Sequence, residues 1–291
     1  MRCDLHVHTR HSGMCTIPLL RRVCGESYNQ PLEVYEKLKR LGMDLVTITD
    51  HDSIGAVEEL RSRPDFFLSE EVTCTLPSGG ELHVGVYDIT ERQHIELQRR
   101  RNDFEAFRVY LAEQNLFYSA NHIFSSLTGM RCLEDFELFE RAFPALETHN
   151  GHMLRIANEN AALMADFAAL AEVCGSDAHA MQSVGCAYTV VPYARDKREY
   201  LQGLRAGMGR VRGETGNYLK LTRDLWSIGC SMVKSEPLTL PVAMLGVAVP
   251  LVTLGNYVVE SVFARWWMSR YMKARALRVA NSSADPIAEA A

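Results

Sequence analysis

The sequence contains no Cys-x-x-Cys pair. Its eight cysteines (3, 15, 24, 74, 132, 174, 186 and 230) are scattered over 291 residues. That scatter excludes a zinc knuckle, argues against a disulfide framework, and reads as reduced, mostly buried thiols of a cytosolic protein. An excess of charge is missing too: the formal net charge is −5, so stable binding of duplex nucleic acid is not expected. There is no internal repeat and no low-complexity tract. Met1 leads straight into a strand-like segment, unlike a cleaved signal peptide. Long apolar runs are absent until residues 238–259, "LTLPVAMLGVAVPLVTLGNYVV", which carry no charge over 22 positions.

What is present is the composition of a globular protein, 47% hydrophobic and 23% charged, in a chain long enough for one large α/β domain or two ordinary ones. Over residues 1–212 short apolar runs alternate with helical patterns. Strands are predicted at 3–8, 45–49, 66–72, 82–87, 116–120, 145–148 and 171–175, and helices at 31–41, 53–61, 91–114, 133–142, 153–170 and 196–206. Such alternation predicts a mostly parallel sheet with helical crossovers, open or closed into a barrel. The glycine-rich stretch 208–217 marks a boundary, giving a domain over 1–212 and a C-terminal extension over 213–291.

The polar residues at the strand ends carry the chemistry. "DLHVHTRHSG" places His6 and His8 on one face of an extended segment, where two imidazoles can share a cation. "TITDHD" supplies Asp50 and His51, "SEEVT" supplies Glu70 and Glu71, and "ELHVGVY" supplies His83. "YSANH" ends in Asn121 and His122, "ALETHNGH" in Glu147, His149 and His152, and "CGSDAH" in Asp177 and His179. In parallel sheets the C-terminal strand ends are where sites form. Imidazoles and carboxylates crowded at one rim need compensation, and divalent cations supply it; nitrogen and oxygen donors without thiolate suit zinc, manganese or iron. Of the Glu70–Glu71 pair only one can face the site, and Glu70 is expected to be the solvated one.

The order H-x-H, T-D-H, a later glutamate, two isolated histidines and D-x-H resembles the PHP family, named for polymerase and histidinol phosphatase, over residues 3–212. The resemblance implies a distorted (β/α)7 TIM-like barrel with two or three divalent metals and a phosphoesterase activity. By position, His6, His8, Glu71 and Asp177 match ligands of a first metal. Glu71 would bridge to a second metal held by His83 and His122, and His51 and His179 match ligands of a third. The sequence departs from the family where a further third-site ligand normally follows H-x-H. Gly13 falls near that place, and His11, then Cys15, are the nearby candidates.

The implied reaction is attack on a phosphoester by a metal-activated water, with Asp177 orienting that water and Arg10, His11, Arg155 and His149 as candidate phosphate clamps. The expected substrate is a phosphorylated small molecule or a nucleotide. The rival readings are a metal-dependent C–N amidohydrolase, against which stands the want of a lysine to bridge the metals, and a non-catalytic metal-stabilised binding or regulatory module. The extension adds a basic segment after its apolar run, with Trp266, Trp267 and Tyr271 among Arg265, Arg270, Lys273, Arg275 and Arg278. Pro241 and Pro250 are expected to interrupt any single helix there. Two partners are therefore expected for the extension, a membrane surface met as a hairpin or interfacial anchor, or a second subunit in a homodimer. The expected location is the cytoplasm, with attachment to the inner membrane face on the first of these.

Overall fold

A hairpin organises the sheet. The structure of the chain, a computed structural model, describes residues 1–15, 21, 23–239 and 244–284. Strand β1 spans Arg2–Cys3, β2 Ser69–Thr75, β3 Glu81–Tyr87, β4 Phe117–Ala120, β5 Ala145–Asn150, β6 Ala171–Gly175, β7 Ala187–Val190 and β8 Arg210–Gly213. The helices are α1 Pro31–Arg40, α2 Val57–Leu60, α3 Glu91–Arg100, α4 Phe104–Glu113, α5 Leu133–Ala142, α6 Arg155–Ala168, α7 Lys197–Arg205, α8 Tyr218–Ser235 and α9 Val249–Ala284. Five strands form one sheet in the order β2-β3-β4-β5-β6, and β1-β7-β8 form a second.

The mostly parallel sheet predicted from the alternation is corrected. Pairs β2–β3 and β3–β4 are antiparallel, β4–β5 and β5–β6 parallel, and both pairs of the smaller sheet antiparallel. The reason is legible in "LPSGG" (76–80): no helix fits between β2 and β3, and a link that short can join only antiparallel strands. Leu76 N–H donates to Gly80 O at 2.8 Å and Gly79 N–H to Leu76 O at 2.9 Å, closing the turn. Gly79 takes a φ of 84°, a left-handed value at which glycine is unstrained.

Beyond Cys3, which belongs to β1, the predicted strands 3–8 and 45–49 are extended segments with isolated bridges, Val7 to Ala178 and Val46 to Phe66, and His51 just beyond them bridges Glu71 of β2. Side-chain oxygens take amides that a ladder would use: Val7 N–H donates to Thr49 Oγ1 at 3.0 Å and His6 N–H to Asp4 Oδ1 at 3.2 Å. Backbone bonds nevertheless tie 5–8 to β6 and the residues after it, as Leu5 N–H to Cys174 O and His8 N–H to Ala178 O, and tie 45–52 to 7 and to 65–71.

The helix predicted over 91–114 is two helices, because Asp103 accepts from Ala106 N–H and starts α4 afresh. The boundary stretch 208–217 contains β8, paired with β7. The extension is built into the same core: Ala264, Trp267, Met268 and Tyr271 of α9 pack with Phe136, Phe139 and Met164 of α5 and α6. Pro250 does not interrupt α9. It sits in the first turn, where the missing N–H has no helical partner to lose. Pro241 lies outside the described residues.

Candidate metal centre

One carboxylate stands at the middle of the site. Glu71, fully buried on β2, lies within reach of five imidazoles: His6 Nε2 at 3.1 Å, His51 Nδ1 at 3.2 Å, His122 Nε2 at 3.3 Å, His8 Nε2 at 3.4 Å and His83 Nδ1 at 3.6 Å. Asp177 Oδ1 lies 3.3 Å from His8 Nε2, 3.5 Å from His6 Nε2 and 3.6 Å from His179 Nδ1. The structure thus brings together all eight expected metal ligands. Their donor atoms group within 4.8 Å as His6–His8–Asp177, His6–Glu71–His122, His51–Glu71–His83 and His8–His51–His179.

The route to the rim differs from the expected one for two of them. Glu71 is the third residue of β2, and His83 is the third of β3. Strand β3, antiparallel to both neighbours, delivers His83 from its N-terminal end to the rim that β4 reaches with its C-terminal end, whereas β2 runs parallel to β4 and continues past Glu71. Neighbouring Glu70 is not solvated. It is buried on the opposite face and bound by His94 Nδ1 and Gln98 Nε2, each at 2.8 Å.

Outer hydrogen bonds orient the inner ligands. His6 Nδ1 donates to Glu147 Oε1 at 2.7 Å. Ser12 Oγ donates to Asp50 Oδ1 at 2.7 Å, so at 3.0 Å it accepts from His8 Nδ1. With both Nδ1 atoms protonated, each Nε2 carries a bare lone pair, and the two Nε2 atoms face each other at 3.0 Å. Two lone pairs at that distance repel unless a proton or a cation lies between them. Asn150 Nδ2 donates to Glu147 Oε2 at 2.9 Å and to Asp177 Oδ2 at 3.0 Å, locking two carboxylates together. Asp177 and His122 hold left-handed backbone, φ 51° and 32°, strain on the order of 1–3 kcal/mol each that the surrounding bonds must hold in place. Gly175 allows β6 to touch the His6 backbone, where any Cβ would collide.

The electrostatics fit a cation. Burial alone would push the His6 imidazole down, yet Glu71, Asp177 and Glu147 hold it well above its usual value. Burial would raise Glu71 and Asp177, but the histidines around them keep both well below the carboxylate range. At the outer side burial pushes His51 and His83 down to about 3, so both are neutral and ready to coordinate. Five of the buried polar atoms without hydrogen-bond partners belong to this cluster: His51 Nδ1, Glu71 Oε2, His83 Nδ1, His122 Nδ1 and His179 Nε2. Uncompensated donors that converge this way fit divalent metal.

Sequence reasoning missed Glu26. Its carboxylate lies 3.7 Å from His51 Nε2 and 3.9 Å from His179 Nε2, on the side of the cluster where a further ligand was sought nearer to His8. Its distance along the chain gave no signal. Backbone pairing brings it there: Glu26 N–H donates to Gly13 O at 3.0 Å, and Met14 bridges Gly25. His11 instead lies 3.9 Å from Glu59, and Arg10 donates to Glu59 at 3.0 Å. Arg155 pairs with Glu159, and His149 contacts the Glu214 carbonyl at 3.0 Å. None of these four candidate clamps meets the cluster carboxylates, whose ion pairs among the described residues are all with histidine. Cys15 joins none of the donor groups.

Fold and site together define an α/β protein with a buried histidine–carboxylate centre for divalent metal. Comparison with known proteins narrows the class. The PHP-associated family model matches residues 155–208, the stretch holding Asp177 and His179. An uncharacterised protein of Methanocaldococcus jannaschii is 34% identical over 67 residues, 23% of this chain and 38% of that relative, so well under half of the relative is spanned. Among solved structures, a two-domain protein from Bacteroides vulgatus containing a predicted PHP-like metal-dependent phosphoesterase superposes with a TM-score of 0.55 at 14% identity, covering 78% of this chain and 69% of that one. The lesion-specific endonuclease PfuEndoQ from Pyrococcus furiosus gives 0.50 at 16%, covering 72% and 58%. The PHP-associated match over residues 155–208 and the fold shared with a PHP-like structure support a PHP-family reading of the chain.

Proposed function

We propose that this protein is a metal-dependent phosphoesterase whose centre is the cluster around Glu71, and that its sheet with the two bridged segments forms a distorted (β/α)7 barrel. The observation that carries the reading is the pair of bare Nε2 atoms of His6 and His8, 3.0 Å apart and oriented from behind by Glu147 and Ser12. Divalent cations at such a site polarise a phosphoryl oxygen and lower the pKa of water towards neutrality. The chain's own groups do the rest. His6, His8, Asp177 and Glu71 bind, while Glu71 also reaches His83 and His122 and so joins two donor groups. Asn150 fixes the Asp177 carboxylate through Oδ2, leaving Oδ1 towards the histidines and the group as a whole placed to orient water. His51, His83 and His179 are the more exposed members, at 13%, 17% and 16%, so a substrate approaches from their side. Among the described residues the cluster carboxylates pair with histidine and with no arginine or lysine, and the phosphate charge would be met by the cations themselves.

A phosphoester is favoured over a C–N bond because no lysine joins the cluster among the described residues, and because the two solved structures named above carry phosphoesterase and endonuclease names. The test is hydrolysis of a generic phosphoester by protein stripped of metal and reloaded with manganese, zinc or iron. Turnover that returns with metal and vanishes in Asp177→Ala supports the proposal. Turnover of amides with none of phosphoesters would overturn it in favour of the amidohydrolase.

A further inference from the structure

Helix α9 carries two unlike halves. Its C-terminal half is docked: Glu260 accepts from Ser126 N–H at 3.1 Å, Asn160 Nδ2 donates to Ala264 O at 2.9 Å, and Arg275 and Arg278 reach Glu140. Its most apolar 18-residue window has a mean hydropathy of 1.5 but is only 17% buried. The exposure lies on one face. Spacing of three and four residues aligns Leu251, Leu254, Val258, Val262 and Trp266, which are 74%, 49%, 53%, 59% and 47% exposed, and Val247, 82% exposed, stands in the turn just before them. Leu219 and Trp226 of α8 widen the strip, since Tyr218 hydrogen-bonds the Pro250 carbonyl and Trp226 packs beside Gly246.

A membrane crossing does not fit. With residues 260–278 held on α5 and α6, the stretch 249–259, which touches α8 at Pro250, is roughly 16 Å long, against a hydrocarbon core of ~30 Å. A second copy fits poorly as well. At the end of the same face stand exposed Arg265, Arg270 and Lys273, with Arg270 lying 4.7 Å over the Trp266 ring. Glu260 is the one acid between residues 237 and 284, and it is buried and engaged with Ser126. Antiparallel pairing of two such faces would lay these cations on apolar side chains, and parallel pairing would lay them on one another. Neither arrangement offers a carboxylate. An anionic bilayer answers both ends at once, taking aliphatic side chains below the headgroups, Trp266 at their level and the cations on lipid phosphate.

We propose that the apolar strip of α9, with its Arg265–Lys273 end, docks this protein on one face of an anionic membrane without crossing it. The full-length protein is tested by co-sedimentation with phosphatidylcholine vesicles and with vesicles also containing phosphatidylglycerol. Binding should require the anionic lipid and fall as salt rises. Leu251→Glu combined with Val258→Glu should abolish it, with circular dichroism and phosphoester turnover unchanged. Arg265→Glu combined with Lys273→Glu should weaken it by roughly tenfold or more. Three results would overturn the proposal: no binding to either vesicle; a discrete dimer in solution that the Leu251→Glu pair dissolves, which assigns the strip to a second copy; or protein that stays in the pellet after alkaline carbonate, which would mean a true span.

Discussion

The inner and outer sides of the metal centre are built on different terms. On the inner side His6, His8 and Asp177 are almost fully buried, and each is fixed by a second protein group: Glu147, Ser12 and Asn150. On the outer side His51, His83 and His179 are partly exposed, Glu26 reaches two of them at distances too long for hydrogen bonds, and several ring nitrogens have no partner. The inner geometry is set by folding, whereas the outer geometry awaits what binds there. A centre graded in this way should hold its cations with graded affinity.

The largest effect expected is from cutting the inner side. His6→Ala or Asp177→Ala should abolish turnover and lower the metal content measured on purified protein; full activity in both would refute the metal-centre reading. Next comes metal removal. Stepwise chelation should release the cation near His51 and His179 before the one near His6 and His8, so metal content should fall in two phases while the melting temperature falls mainly in the second. A single release phase would erase the distinction between the sides. Loss of an orienting group should matter less than loss of a ligand: Glu147→Gln or Asn150→Ala should reduce metal affinity about 10- to 100-fold, read by competition with a chromogenic chelator.

The pH dependence of Glu26 sharpens the comparison. In metal-free protein burial, helped by Glu71 and Asp177, pushes its carboxyl up to about 7, against the pull of His179. A folded pKa above the unfolded value means the fold prefers the protonated acid. That stability is complete below about 4.5 and is lost as pH rises towards about 7. Glu26→Gln should therefore raise the melting temperature of metal-free protein by a few degrees at about pH 8 and little at about pH 4, yet lower it in metal-loaded protein. The same sign in both states would remove Glu26 from the outer side. The smallest effect is expected at Arg10 and His11. Because both lie against Glu59, replacing either with alanine should leave metal stoichiometry unchanged and alter turnover by less than about threefold.

Much of this was legible because the donors are rare and ordered. His6 and His8 share a face by strand alternation alone, and the Asp177–His179 pair follows a readable apolar strand. Strand direction was legible in part: "LPSGG" forbids a crossover, yet antiparallel β4, which follows two helices, carries no such mark. Burial of Glu70 was not legible, since its partners His94 and Gln98 lie on α3 and meet it through packing. Pro250 read as a breaker because a proline's effect depends on its place in the helix, and its place was fixed by where α9 begins.

The sequence by itself determined the donor set and the strand period that points it to one side, because those are local properties of residue type and spacing. The tertiary structure decided the rest. It put Glu26 beside His51 and His179, set Arg10 and His11 against Glu59, and pinned half of α9 to α5 and α6. Each of these depends on segments distant in sequence meeting in space, and local periodicity carries no record of which distant surface a side chain will find.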